Sequence, residues 1–300
     1  MRKCRTGKPK YSGMAGSPMS IRFGFLPYKQ ELNFAAGKII PVPEFDEGLK
    51  FVKKRVDEEG YLYPPRETYL VVDSNGTRTV PTKRSARLFS LPPSHELRIT
   101  YKPEPNIREG SAGFLIHFLA FLFGTRLQFD KWYFDGRVPV RARHGMVVTV
   151  TNRYKAERCL DQAFKTWAAW PELEQRRFTN ILYMFSRTSV YQWDWEEFII
   201  QYMVLDALWK MGEQLFGLRA NGHGDRARKL CAHFSYNVEN WIDVKELVRL
   251  RNGLFHETLW HGARPSSTAG KLTEKRPYYV HIRMRTPNEM LIAKFLRIVA

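Results

Sequence analysis

Residues 244–262 read VKELVRLRNGLFHETLWHG, and this stretch decides what the C-terminal half of the chain is. Val244, Leu247, Val248, Leu254 and Phe255 recur at helical spacing, which predicts an amphipathic helix. Arg251, Asn252 and His256 interrupt the apolar stripe. Asn252 and His256 are four apart and share a face. Arg251 stands ~140° round a regular helix from His256, at ~100° per residue, but its long side chain can reach back. Gly253 in mid-helix costs about 1 kcal/mol relative to Ala. That expense points to a close approach by another backbone or by a ligand.

The helical texture continues to either side. It predicts helices from about Lys155 to Trp170, from Pro171 to about Phe185, and from a capping-box-like Asp194–Glu197 start to Phe216. Gly217 stands as the C-terminal stop of the last of these. Further helices are expected over Arg226–Phe234, over Val238 to about Leu259, and from Thr286-Pro287 to about Ile298. Residues 153–300 therefore read as a bundle of five or six helices.

Upstream the punctuation changes to that of a β-rich domain over 21–152, preceded by a basic flexible arm over 1–20. TYLVVDSNGTRTV (68–80) has β-branched runs on both sides of Asn75-Gly76 and reads as a hairpin. Short strands are expected at 21–25, 97–101, 126–134 and 138–150. The run from Ala112 to Gly124 is too short to span a bilayer and is expected as a buried helix, with interfacial membrane contact as the alternative. The fold class expected is α+β, a β-rich N-terminal domain followed by an all-α bundle.

Forty-eight Lys and Arg against thirty Asp and Glu leave a net charge of +18. The excess is present in both halves, as expected for a polyanion partner, most often nucleic acid. Basic residues interleave with aromatics at 83–89 and 131–144, a pattern that suits either RNA contact or exposed strand faces. Three scattered cysteines (Cys4, Cys159, Cys231) write no disulfide framework and no CxxC pair, so a cytoplasmic setting is expected. Cys231 with His233 is too sparse a pair to imply a metal site. The start of the chain lacks an apolar signal core. Phosphate-loop, dinucleotide-binding, HExxH and GxSxG patterns are all absent from the sequence. Asn221-Gly222-His223-Gly224 reads as a helix connection or, less well, as a phosphate cradle.

Arg251-Asn252-x-x-x-His256 in a helix of a basic helical half resembles the HEPN domain, a helical bundle found in ribonucleases. The resemblance covers roughly 155–300, and the β-rich domain ahead of it looks like the ApeA-type antiviral arrangement. The resemblance implies metal-independent endoribonuclease activity, with no cofactor, in an antiviral or toxin–antitoxin setting. It implies RNA as substrate, cleaved by attack of the 2′-hydroxyl to leave 2′,3′-cyclic phosphate. His256 would be the acid/base, Arg251 the group that stabilises the crowded phosphate, and Asn252 a positioning residue. It also implies a homodimer in which two motifs face each other, with a regulatory or antitoxin protein as a possible further partner.

Asp206 stands in the nearly continuous apolar stretch EFIIQYMVLDALWKMGEQLF (197–216), so its carboxylate is expected to be buried and paired. Arg251 is the expected partner, with Lys210 or another basic residue as alternatives. Glu257 and His261 are secondary candidates beside the motif. A different class of function remains open, a non-catalytic RNA-binding or scaffold subunit, and the intact polar set favours the enzyme.

Overall fold

The computed structural model describes residues 19–74, 76–85, 88–100, 106, 108–130, 132–140, 153–191, 193–260 and 280–298. It is a mixed α/β protein, with a sheet in the N-terminal part and a helical C-terminal region. Five strands form the main sheet: β1 (Met19–Gly24), β2 (Leu32–Phe34), β3 (Gly37–Pro41), β8 (His95–Ile99) and β9 (Gln128–Phe129). They lie in the order β2-β3-β8-β1-β9, every pair antiparallel. In β8 the side chains of His95, Leu97 and Ile99 are buried while Arg98 is exposed, the alternation of a half-covered sheet.

Short strands β4 (Tyr61–Leu62), β7 (Leu88–Phe89), β10 (Phe134–Asp135) and β11 (Val138–Pro139) pair β4 with β11 and β7 with β10. The expected hairpin is β5 (Arg66–Asp73) with β6 (Gly76–Ser85). Asp73 faces Gly76, so the return strand begins at Gly76 itself, whose φ of +107° suits glycine. A short helix, α1 (Phe45–Lys53), precedes β4. The strand expected over 138–150 is described only as far as β11, and the rest lies outside the described residues.

Helix α2 (Ser111–Phe123) is buried at every position and stops at Gly124, which has φ +62°. A helix apolar all round belongs in a core. Phe114 stacks on Trp167 of α3 (Arg153–Ala168) at 4.7 Å, and Phe121 meets Phe185 of α4 (Glu172–Arg187) edge-on at 5.6 Å. One buried cluster runs from Phe23 and Leu97 of the sheet through α2 to Leu208 and Leu291 of the helical region. Carboxylates on α3 meet the edge of the sheet. Glu157 accepts the Asn33 N–H at 2.8 Å and Asp161 the Ala35 N–H at 2.6 Å, which occupies donors an open edge would expose.

The remaining helices are α5 (Asp194–Phe216), α6 (His223–His233), α7 (Val244–Asn252) and α8 (Val280–Phe295). The limits of α5 are those read from the sequence, with Gly217 at φ +68° as the stop. Its N-cap is Trp193, however, so Asp194 and Glu197 serve as first-turn acids rather than as a capping box. The helix expected over 238–259 divides. Val238–Asn240 forms a single 3-10 turn, and α7 begins only after Asp243, whose carboxylate accepts the N–H of Lys245 (2.9 Å) and Glu246 (3.2 Å). Thr286-Pro287 does not start a helix, because α8 begins at Val280 and carries Pro287 inside it. Nearby, Asn288 donates to Gln201 O (2.9 Å) and Oε1 (2.7 Å), a buried link between α8 and α5. Among the described residues no helix is long and apolar enough to cross a membrane.

Candidate active site

The polar residues of the motif sit where the chain leaves the α-helical path. Val244, Leu247, Leu250 and Leu254 fill the core, while Asn252, Phe255 and His256 are exposed. Phe255 was expected in the apolar stripe, but residues 253–257 form a π-helical turn that swings it outward. The Thr258 N–H donates to Gly253 O, five residues back, and the Leu259 N–H reaches the same oxygen at 3.0 Å. A Cβ on Gly253 would stand 3.3 Å from Leu259 O. The glycine is therefore explained by a close approach of its own backbone. Buried Trp260, 5.2 Å from the Phe198 ring, anchors the exit of the turn.

Across this wide turn Arg251 and His256 meet. Arg251 Nη1 lies 2.6 Å from His256 Nε2 and donates to Asn252 Oδ1 at 3.0 Å. A guanidinium has no lone pair to offer, so Nε2 must accept and the imidazole proton sits on Nδ1. The Arg251 guanidinium also lies 5.4 Å from the centre of the Phe255 ring. Its Nε is buried and has no hydrogen-bond partner among the described residues, an open donor in a cationic group.

Two helices bring further groups to the same place. Tyr202 and Asp206 project from one face of α5, His223 and Arg226 from one face of α6, and with Arg251 and Phe255 they line a cleft of about 540 Å³. Asp206 departs from expectation in two ways. Its side chain is 45% exposed rather than buried, and its ion pair, at 2.6 Å, is with Arg226 rather than Arg251. The helix is apolar nearly all round, but the cleft opens over Asp206. Arg251 is its neighbour there, held instead by Asn252, His256 and the Tyr202 hydroxyl.

His223, Arg226 and Tyr202 belong to no catalytic motif in the sequence, and it is the fold that brings them to the site. The Tyr202 hydroxyl is hydrogen-bonded to His223 Nδ1, and the Tyr202 ring packs 5.9 Å from both His223 and Phe255. Burial, and then the Asp206 charge, push the Tyr202 hydroxyl up to about 12. Burial lowers the His223 pKa, and the Arg251 and Arg226 charges lower it further. The cleft thus sets an imidazole and a phenol, each biased toward its neutral form, beside two guanidinium groups.

Other candidates fall away or lie elsewhere. Glu257 is exposed at the end of the π turn, and His261 lies outside the described residues. Cys231 is buried, its thiol pushed up to about 12, and His233 stacks on Phe216 at 4.4 Å. Among the described residues no group of three His, Cys, Asp or Glu is placed to hold a metal ion. The Gly222-His223-Gly224 segment is the start of α6, with Gly222 as N-cap. Of the basic–aromatic stretch 131–144, Arg137 is engaged internally, over the Tyr61 ring at 4.0 Å and donating to Tyr191 O at 2.8 Å. Residues 141–144 lie outside the described residues, and no side-chain environment is described for 83–88. No protein-family model, curated protein or solved structure matches this chain.

Proposed function

We propose that the protein is a metal-independent endoribonuclease of the HEPN type, cleaving RNA through its own 2′-hydroxyl. The observation that carries the reading is the Arg251–His256 contact of 2.6 Å at a cleft that also holds Arg226. Transesterification requires a group that moves protons near neutral pH beside a cation that can take a phosphate oxygen. Imidazole and guanidinium in contact supply both. An anionic phosphate oxygen is a stronger partner for a guanidinium than an imidazole lone pair is. Bound RNA would therefore draw Arg251 off His256 and free Nε2 for proton transfer. Asn252, bonded to Arg251, positions the guanidinium.

The net charge of +18 supports RNA as the partner. Exposure of Asn252, Phe255 and His256 is compatible with a homodimer that pairs two motifs, the assembly the resemblance implies. A role as a cytoplasmic RNA-degrading effector in antiviral defence or a toxin–antitoxin system, held in check by a regulatory protein, belongs to the same proposal.

The test is cleavage of single-stranded RNA by wild-type and His256→Ala protein. Wild type should cut, and the variant should bind RNA but cut at least about 100-fold more slowly. Tight RNA binding by a wild-type protein that cuts nothing would leave an RNA-binding module in place of an enzyme.

A further inference from the structure

One histidine per motif leaves a one-chain site with a proton acceptor or a proton donor, but not both. A second histidine of the same chain, His223, lines the cleft that Arg251 borders and stands near enough to feel the His256 charge. Resting on the ribonuclease reading, we infer that His223, oriented by the Tyr202 hydroxyl, is the site's second proton-transfer group. Each protomer then carries a complete pair, His223 with His256.

The placement follows from the packing of α6 on α5 and α7. His223 is the first residue of α6, and its Nδ1 is fixed by Tyr202 from α5. With Nδ1–H donated to the phenol oxygen, Nε2 keeps its lone pair for a substrate hydroxyl. The charged and titratable groups around it are Tyr202 and Asp206 from α5, Arg226 on α6, Arg251 on α7 and His256 on the π turn. Burial and the two arginines favour the neutral ring, which is the form a base needs. Tyr202 resists ionisation, so it remains a hydrogen-bonding partner and not a competing base.

The step balances within one chain. The 2′-hydroxyl proton passes to His223 Nε2 as the 2′-oxygen bonds to phosphorus. The bond from phosphorus to the 5′-oxygen breaks, and that oxygen takes a proton from His256, whose Nε2 picks one up from solvent once the phosphate has drawn Arg251 away. Arg226 and Arg251 carry the charge of the crowded phosphate. The products are a 2′,3′-cyclic phosphate and a 5′-hydroxyl, and solvent exchanges the protons back. On this account a dimer contributes RNA-binding surface rather than a missing proton-transfer group.

The experiment compares His223→Ala, Tyr202→Phe and His256→Ala for RNA cleavage across pH 5 to 9. Folded His223→Ala should lose at least about 100-fold in kcat, lose the acid limb of the rate profile, and be partly rescued by added imidazole. Tyr202→Phe removes one oxygen and leaves the ring packing, so it remains informative even if His223→Ala fails to fold. It should lower kcat with KM unchanged and displace the acid limb. Wild-type rates and an unaltered profile in these two variants, with His256→Ala inactive, would overturn the role of His223 and leave the ribonuclease reading standing. Wild-type protein that cuts no RNA would overturn both. Mixing His223→Ala with His256→Ala protomers decides the cis arrangement: the mixture should stay as inactive as its parents, and recovered activity would overturn it.

Discussion

Replacing Arg251 by Ala separates two accounts of how the cleft is held together. If Arg251 balanced a buried Asp206, its removal would strand a carboxylate and destabilise the fold by about 3–5 kcal/mol. The geometry says otherwise, since Asp206 keeps its 2.6 Å contact with Arg226 and is 45% exposed. What Arg251→Ala removes is its contacts to the exposed side chains of Asn252 and His256 and to the Tyr202 hydroxyl, each worth about 0.5–1.5 kcal/mol at most, and about 0.5–1 kcal/mol of attraction to the Phe255 ring. Against this, it relieves a buried Nε–H that has no partner among the described residues, recovering about 1–3 kcal/mol. The net effect expected is a loss of about 1–2 kcal/mol, or about 2–4 °C in Tm for a chain of this size. RNA cleavage by the same preparation should fall by at least about 100-fold. Thermal and urea melts beside a cleavage assay check both halves of the claim. A loss of 3 kcal/mol or more (about 6 °C) would refute the reasoning, because it would mean Asp206 relies on Arg251 after all. Arg226→Ala is the companion, expected to cost about 0.5–1 kcal/mol because its pair with Asp206 is half exposed.

Cleavage should persist in EDTA and leave 2′,3′-cyclic phosphate and 5′-hydroxyl ends, which end-labelling and phosphatase treatment read directly; 5′-phosphate ends would sink the 2′-hydroxyl route. RNA affinity should fall with salt at a slope of roughly −0.7 per phosphate contact, and an affinity that ignores salt would detach the +18 charge from RNA. The fold itself should weaken in mild acid: burial holds His117 near about 3 and His95 near about 4 when folded, so below about 6.5 the unfolded chain binds the extra protons. Stability should then drop by about 1.4 kcal/mol per pH unit for each ring as pH falls from about 6.5 toward 4, and a Tm that is flat between pH 7 and 5 would contradict the burial of these rings.

Local chemistry made much of the fold legible. Gly217 stops α5 and Gly76 turns the β5–β6 hairpin because their positive φ values suit glycine. Apolar residues at alternate positions, Ile21 with Phe23 and Leu97 with Ile99, put strands at Met19–Gly24 and His95–Ile99. What failed to show was whatever tertiary packing decides. Pro287 costs a helix interior about 3 kcal/mol in isolation and so reads as a start, yet α8 runs through it because the surrounding helix is buried against the core. Asp206 looked buried because its helical neighbours are apolar, but Met203 beside it is 46% exposed on the rim of the cleft. Of the site, the Arg251-Asn252-His256 set was visible as a motif within one helix. His223 and Arg226 were not, since only the docking of α6 onto α5 carries them to it. Their one signal was positional: Tyr202 with Asp206 and His223 with Arg226 are each a polar pair on a single helix face.

The π turn is the feature on which the site most depends, and Gly253 is where it can be tested. Five residues separate Arg251 from His256, which in a regular α-helix would leave them ~140° apart. The turn closed by the bond from the Thr258 N–H to Gly253 O narrows that separation, and with the reach of the Arg251 side chain the two groups stand 2.6 Å apart. Such turns are rare and recur at functional sites because they re-aim side chains without ending the helix. Ala at 253 gains up to about 1 kcal/mol in helix propensity, but its Cβ would press on Leu259 O from 3.3 Å. The two effects oppose each other, so Gly253→Ala should change stability by less than about 1 kcal/mol. The same pressure falls on the carbonyl whose residue closes the turn, and relief by return to an α-helical path would part Arg251 from His256. A variant as stable as wild type but clearly slower on RNA is therefore expected. If Gly253→Ala keeps full activity, the turn tolerates the methyl group and glycine is not what maintains the contact.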